Sequence, residues 1–120
     1  MGPLTACIIL PLFHNADSRG RRKPVPQKDF EKTGVELADL FGGCSSAPGS
    51  PFTGYWKSVT GEPMQDENTY LEVMELGPWD LKSVHDYCRD TLLDRFKQEA
   101  IMVKFMAPGT FGGLVTKVEV

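Results

Sequence analysis

The chain has no apolar run near the roughly 20 residues that a membrane-crossing helix needs. It has only three cysteines, Cys7, Cys44 and Cys88. Odd in number and scattered, they outline neither a disulfide framework nor a metal-ligand spacing. It has no cationic excess: 13 Lys and Arg stand against 16 Asp and Glu, for a net charge of −3. That balance supplies no general attraction to nucleic acid or to an anionic membrane. The start, Met1-Gly2-Pro3-Leu4, lacks the basic segment of a secretory signal. A P-loop lysine and a calcium-loop pattern are missing too. From these gaps we expect a cytoplasmic protein with no metal, no cofactor, no nucleic-acid partner and no membrane partner.

What is present suits a globular fold. Of 120 residues, 41% are hydrophobic and 24% charged, which fits one domain over residues 1–120 with a core of its own. Ala6–Phe13 is apolar on both faces, as in a central strand covered on each side, with Pro11 expected to disturb its ladder. A polar, basic loop follows, from His14 to Gln27. Asp29–Phe41 has helical spacing, with Phe30, Leu37, Leu40 and Phe41 on one side and Gly42 placed for a left-handed C-cap. Phe52–Lys57 reads as a strand, Ser58–Asn68 as a long hairpin connection, and Thr69–Leu76 as an alternating strand. Leu81–Lys97 repeats apolar residues at Leu81, Val84, Cys88, Leu92 and Phe96, a helical stripe. Cys7 and Cys88 are expected as buried, inert thiols. Ala100–Met106 alternates again, and Leu114–Val120 fits an extra C-terminal strand.

Strand, helix, two strands, helix, strand is the order of a ferredoxin-like βαββαβ sandwich, an α+β fold with two helices on one face of an antiparallel sheet. Two helices cover one sheet face only. The other is predicted to carry Tyr70, Met74, Met102, Met106 and part of the first strand, with Tyr55 or Trp56 beside them. A face that apolar calls for a partner, and a homodimer stacked through it is the expectation.

The same topology brings the end of the first strand beside the start of the third. His14, Ser58, Asp66, Glu67 and Asn68 are therefore expected at one end of the sheet, with the basic loop Arg19–Lys23 hanging from it. Within that loop Arg19, Arg21 and Arg22 are candidates to hold an anion. Trp56 is a candidate ligand floor and Glu67 a candidate polar contact. His14 beside carboxylates, or His85 on the second helix, is a candidate base. Cys44 is a candidate nucleophile with no activating base evident in the sequence. Against each stands a plain reading: a solvated loop, a packed ring, a surface histidine, a structural thiol.

Four short segments carry a resemblance. Leu40-Phe41-Gly42-Gly43-Cys44-Ser45, Gly54-Tyr55-Trp56, Asp66-Glu67 and Phe96-Lys97-Gln98-Glu99-Ala100 resemble small uncharacterised bacterial proteins with FGG-x-[ST], G-x-W and F-x-Q-E-A motifs. The resemblance spans residues 6 to 106 and implies a ferredoxin-like fold without an assigned activity. It points to Gly43, Ser45, Trp56 and Glu67 as positions to test. The reading reached is a small ligand-binding or interaction domain rather than an enzyme, gripping an anionic metabolite through the basic loop. The alternatives are a small enzyme of the dimeric α+β barrel type, an isomerase or monooxygenase with a histidine base, and a structural protein-interaction module.

Overall fold

The computed structural model describes residues 4–46, 52–57, 61–107 and 113–119. The elements run β1 (Leu4–Pro11), α1 (Gln27–Phe41), β2 (Ser45–Ser46), β3 (Phe52–Lys57), β4 (Pro63–Leu76), α2 (Asp80–Tyr87), a π-turn (Cys88–Leu92), α3 (Leu93–Arg95), β5 (Ala100–Met106) and β6 (Gly113–Glu119). The sheet is antiparallel in the order β2-β4-β1-β5-β6, and β3 pairs with β4 on the same flank as β2. This is the ferredoxin-like α+β plan, with the extra C-terminal strand laid along β5.

Chain chemistry accounts for that arrangement. β1 lies between β4 and β5, as its two-sided apolar sequence requires. Leu4, Ala6, Ile8 and Leu10 are buried, while Thr5, Cys7 and Ile9 on the other face are half-covered. β5 alternates likewise, with Ile101, Val103 and Phe105 buried and Met102, Lys104 and Met106 exposed. Both helices cover the first face. Leu37 of α1 joins Val84, Cys88, Leu92 and Phe96 in one apolar cluster with the sheet residues, and the Phe30 and Phe96 rings meet edge to face at 5.2 Å. Gly42 ends α1 at φ 92°, its N–H returning to the carbonyl of Ala38.

Several elements differ from the sequence expectation. β1 spans Leu4–Pro11 rather than Ala6–Phe13, although its early end at Pro11 is the disturbance expected of a residue with no N–H for the ladder. The register break lies at the other end, between Leu4 and Ala6, opposite Glu75, which takes a left-handed φ of 61°. β4 starts at Pro63 rather than Thr69, since β3 pairs with its polar first half from Lys57↔Pro63 to Phe52↔Asn68. Leu40 is 56% exposed and is not part of the core. Cys7 is half-covered on the open face; Cys88 is buried as expected, its thiol pushed up to about 12 by burial.

The π-turn answers the apolar stripe. From Val84 through Cys88 and Leu92 to Phe96 the stripe advances four residues at each step, more than the 3.6 of an α-turn. Three such steps rotate an ideal helix by about 120° away from the core. One wider turn at Cys88–Leu92 restores alignment, and all four side chains end fully buried. No helix among the described residues is long and apolar enough to cross a membrane.

Candidate functional site

β1 stops pairing at Pro11↔Asn68, yet β4 continues back to Pro63 with β3 beside it. Residues 52–57 and 63–67 therefore form a two-stranded ribbon running past the end of β1. The chain leaving β1 stays against its base: the Leu12 N–H donates to the carbonyl of Glu67 at 2.8 Å. It then doubles back. The His14 N–H donates to the Lys23 carbonyl and the Val25 N–H to the Leu12 carbonyl, both at 2.8 Å, and Phe13 bridges Pro24. Val25 is buried in the core, so the basic loop is pinned at both ends.

Within the loop the arginines divide by task. The Asp17 carboxylate accepts from the backbone N–H groups of Arg19 (2.8 Å) and Arg21 (2.9 Å), and Gly20 turns the chain at φ 78°. Those backbone N–H groups, Arg21's first and Arg19's next, hold the Asp17 carboxyl below its usual range. Arg21 also meets Asp17 through Nε at 3.3 Å, and Arg19 and Arg21 are both exposed. Arg22 is used internally. Its Nη2 pairs with Asp66 Oδ1 at 2.5 Å, its Nε donates to the His14 carbonyl at 3.1 Å, and its guanidinium carbon lies 5.9 Å from the centroid of the Phe13 ring. Asp66 is one of the two buried polar side chains among the described residues.

The structure thus places His14, Asp66, Glu67 and Asn68 at one end of the sheet, Asp66 and Asn68 on one face of β4 and Glu67 on the other, with Arg19 and Arg21 on the adjoining loop. Glu67 is exposed beside Thr53 of β3. Tyr55, two residues along that strand, is 72% exposed. Gly54 stands opposite Asp66, where a Cβ would come within 2.8 Å of the Asn68 amide nitrogen. A larger residue there would displace the Asn68 side chain. The imidazole of His14 is partly covered, and its Nε2 is enclosed without a partner among the described residues. Trp56 is placed by its backbone opposite Met64. Ser58 lies outside the described residues.

Two candidates sit elsewhere. Cys44 is half-covered against the core, next to Ser45, which pairs with Glu72. Glu72 is five residues along β4 from Glu67, about 16 Å at strand rise, so Cys44 and His14 do not meet. Burial pushes the Cys44 thiol up, away from a nucleophilic thiolate. His85 is 37% exposed on α2, with Nδ1 3.8 Å from Asp86. Among the described residues no group of three or more His, Cys, Asp or Glu side chains stands together as metal ligands.

A second polar cluster went unforeseen. Between the helices the Tyr87 hydroxyl donates to Glu36 Oε1 at 2.7 Å, and Arg95 donates to Glu36 Oε2 and to the Thr33 hydroxyl, both at 2.9 Å. Burial and the Glu36 carboxylate push the Tyr87 phenol well up. Burial alone would raise the Glu36 carboxyl, but the bonds from Tyr87 and Arg95 outweigh it and hold it down. Every polar group is matched, as in a structural lock. The bonds that join the two helices link residues 51 to 62 apart in the chain, beyond the reach of any local pattern.

No protein-family model matches the chain, and no curated protein matches it. Among solved structures, a phage SAM lyase in complex with S-methyl-5'-thioadenosine matches with a TM-score of 0.71 at 16% identity, over 99% of this chain and 91% of that one. A phage SAM lyase in the apo state matches with a TM-score of 0.69 at 16% identity, over 99% and 90%. Likeness at this identity shows a shared fold.

Proposed function

We propose that the chain binds a small adenosyl thioether or its sulfonium parent, SAM, at the ribbon base. The observation that carries this reading is the fold match over 99% of the chain to a lyase holding S-methyl-5'-thioadenosine, an argument by analogy of fold. The chemistry of the ribbon base supports it. SAM joins an adenosyl group, a sulfonium centre and an amino-acid carboxylate. The exposed Arg19 and Arg21 suit the carboxylate. Glu67 suits the positive sulfur or ammonium, and the exposed ring of Tyr55 offers a stacking surface for adenine. In this reading Arg22 acts as a positioning residue, holding the loop to Asp66.

SAM carries three carbon substituents on one sulfur, and S-methyl-5'-thioadenosine keeps two of them. Forming that thioether from SAM would break the bond from sulfur to the aminobutyryl chain, with sulfur taking the electron pair to become neutral while the released carbon closes onto the chain's own carboxylate or the chain gives up a proton to a base to form an alkene. The carboxylate of Glu67 would favour the sulfonium over that neutral product, so its place in such a reaction is binding rather than departure. Binding is the claim, and turnover is a separate readout.

The test is thermal denaturation with SAM, S-methyl-5'-thioadenosine and adenosine, followed by chromatography of the SAM sample. We expect SAM and the thioether to raise the melting temperature in proportion to the logarithm of concentration. Arg19→Ala/Arg21→Ala should weaken SAM more than the carboxylate-free thioether. An unchanged melting temperature at millimolar concentrations of both ligands would refute the reading. If the loop instead grips anionic metabolites generally, phosphorylated compounds shift the melt and the thioether does not.

A further inference from the structure

The sheet face away from the helices has a charge pattern of its own. In β1, β4 and β5 its side chains are Thr5, Cys7 and Ile9, then Tyr70, Glu72 and Met74, then Met102, Lys104 and Met106. Met74, Met102 and Met106 are 56%, 39% and 53% exposed. One row crosses the middle, because Cys7 pairs with Glu72 on one side and Lys104 on the other, and Ser45 extends it beyond Glu72. Glu72 and Lys104 are thus two strand spacings apart, about 10 Å. Neither has an ion-pair partner among the described residues. Across β4, β1 and β5 the face is apolar apart from Glu72 and Lys104, placed symmetrically about β1, while on β6 the same face carries Lys117 and Glu119, which pair with each other at 3.7 Å.

We propose that a second copy of this chain covers this face, with Lys104 of each copy meeting Glu72 of its neighbour. The pattern is self-complementary. Turning a copy by 180° about the direction of β1 and laying it face to face puts Lys104 over the neighbour's Glu72 at both ends of the row and Cys7 over Cys7. Turning it about an axis across the strands would put lysine over lysine and glutamate over glutamate, which opposes association. Methionine and tyrosine surround the row, the side chains enriched at the centres of interfaces. From β2 to β6 the sheet crosses four strand spacings, about 19 Å at about 4.8 Å each, and β5 extends about 23 Å; a face of that size suits a small interface whose assembly depends on concentration. This inference stands apart from the ligand reading, which places its ligand at the ribbon base and needs no second copy.

The experiment is sedimentation of the full chain over a wide concentration range, for the wild type, Lys104→Glu, Glu72→Lys and the double reversal. The wild type is expected to self-associate. Each single reversal should weaken association at least tenfold, and the double should restore it by rebuilding the pair the other way round. Circular dichroism and thermal melts of all four separate lost contact from lost folding. Met102→Arg, an exposed position on the same face, gives a second route to disruption. In a Cys44→Ser background a short bis-maleimide should join two copies through Cys7, and Cys7→Ser should abolish that product. A wild type that stays monomeric at millimolar concentration overturns the proposal. So does an assembly indifferent to both charge reversals.

Discussion

Replacing Arg22 with methionine removes three contacts and leaves Asp66 without its guanidinium. The ion pair spans 2.5 Å between side chains 27% and 10% exposed. Breaking one side of a fully buried pair costs about 3–5 kcal/mol, and a surface pair contributes about 0–1. The partial exposure of Arg22 places its loss between these limits, at about 2 kcal/mol, part of it from the charge-assisted bond to the His14 carbonyl. A chain of 120 residues unfolds with an entropy near 0.25 kcal/mol/K, so the melting temperature should fall by about 8 °C. Asp66→Asn alone should cost less, because the arginine left behind can turn to water. The double variant should recover about half of the arginine loss, since it buries no carboxylate deprived of its guanidinium. Urea melts of the four proteins at pH 7 close the cycle. An Arg22→Met cost under 0.5 kcal/mol, or additive single losses, would refute the latch and return Arg22 to the solvated loop. Arg19→Ala and Arg21→Ala, at exposed positions, should change stability by less than about 0.5 kcal/mol while altering the response to ligand.

Three further outcomes follow from the fold. Glu36 has a depressed folded-state pKa, so its contribution is present above the unfolded value of about 4.3 and is lost as pH falls through the folded one; Arg95→Met should flatten stability against pH in that acid window. At Glu75, with φ 61°, glycine should be neutral or stabilising by up to about 1 kcal/mol, while valine should cost about 1–2 kcal/mol in urea melts. Phe96→Ala, fully buried against Phe30, should cost about 3–5 kcal/mol, and a loss below 1 would show that the helix pair is not packed on the sheet as described.

The fold was legible where one face of an element is apolar and the other is not. β5 has the bounds its alternation predicts, and β1 is central as its apolar run suggested, although helices cover only its Leu4, Ala6, Ile8 and Leu10 face. The open face with its methionines followed from counting two helices against two sheet surfaces. The π-turn at Cys88–Leu92 was not foreseen: the stripe from Leu81 to Phe96 read as one amphipathic helix, and the wider turn is visible only in how that helix packs on the sheet. The first half of β4 was not readable. Pro63-Met64-Gln65-Asp66-Glu67-Asn68 has little strand propensity, and it is extended because β3 supplies its hydrogen bonds.

The candidate site shows the same division more sharply. Sequence order alone placed His14, Asp66, Glu67 and the arginine loop at one end of the sheet, since strand direction and topology leave little choice there. It could not rank four neighbouring cations. Arg19, Arg21 and Arg22 have the same side chain within four positions, and a guanidinium has no built-in partner. The prolonged β4 carries Asp66 beneath the returning loop, and the carboxylate buried there pairs with Arg22. Chain chemistry therefore determined which surfaces are covered. Long-range geometry decided which charges are already matched and which face the solvent, because electrostatic pairing depends on distances that only the assembled sheet defines.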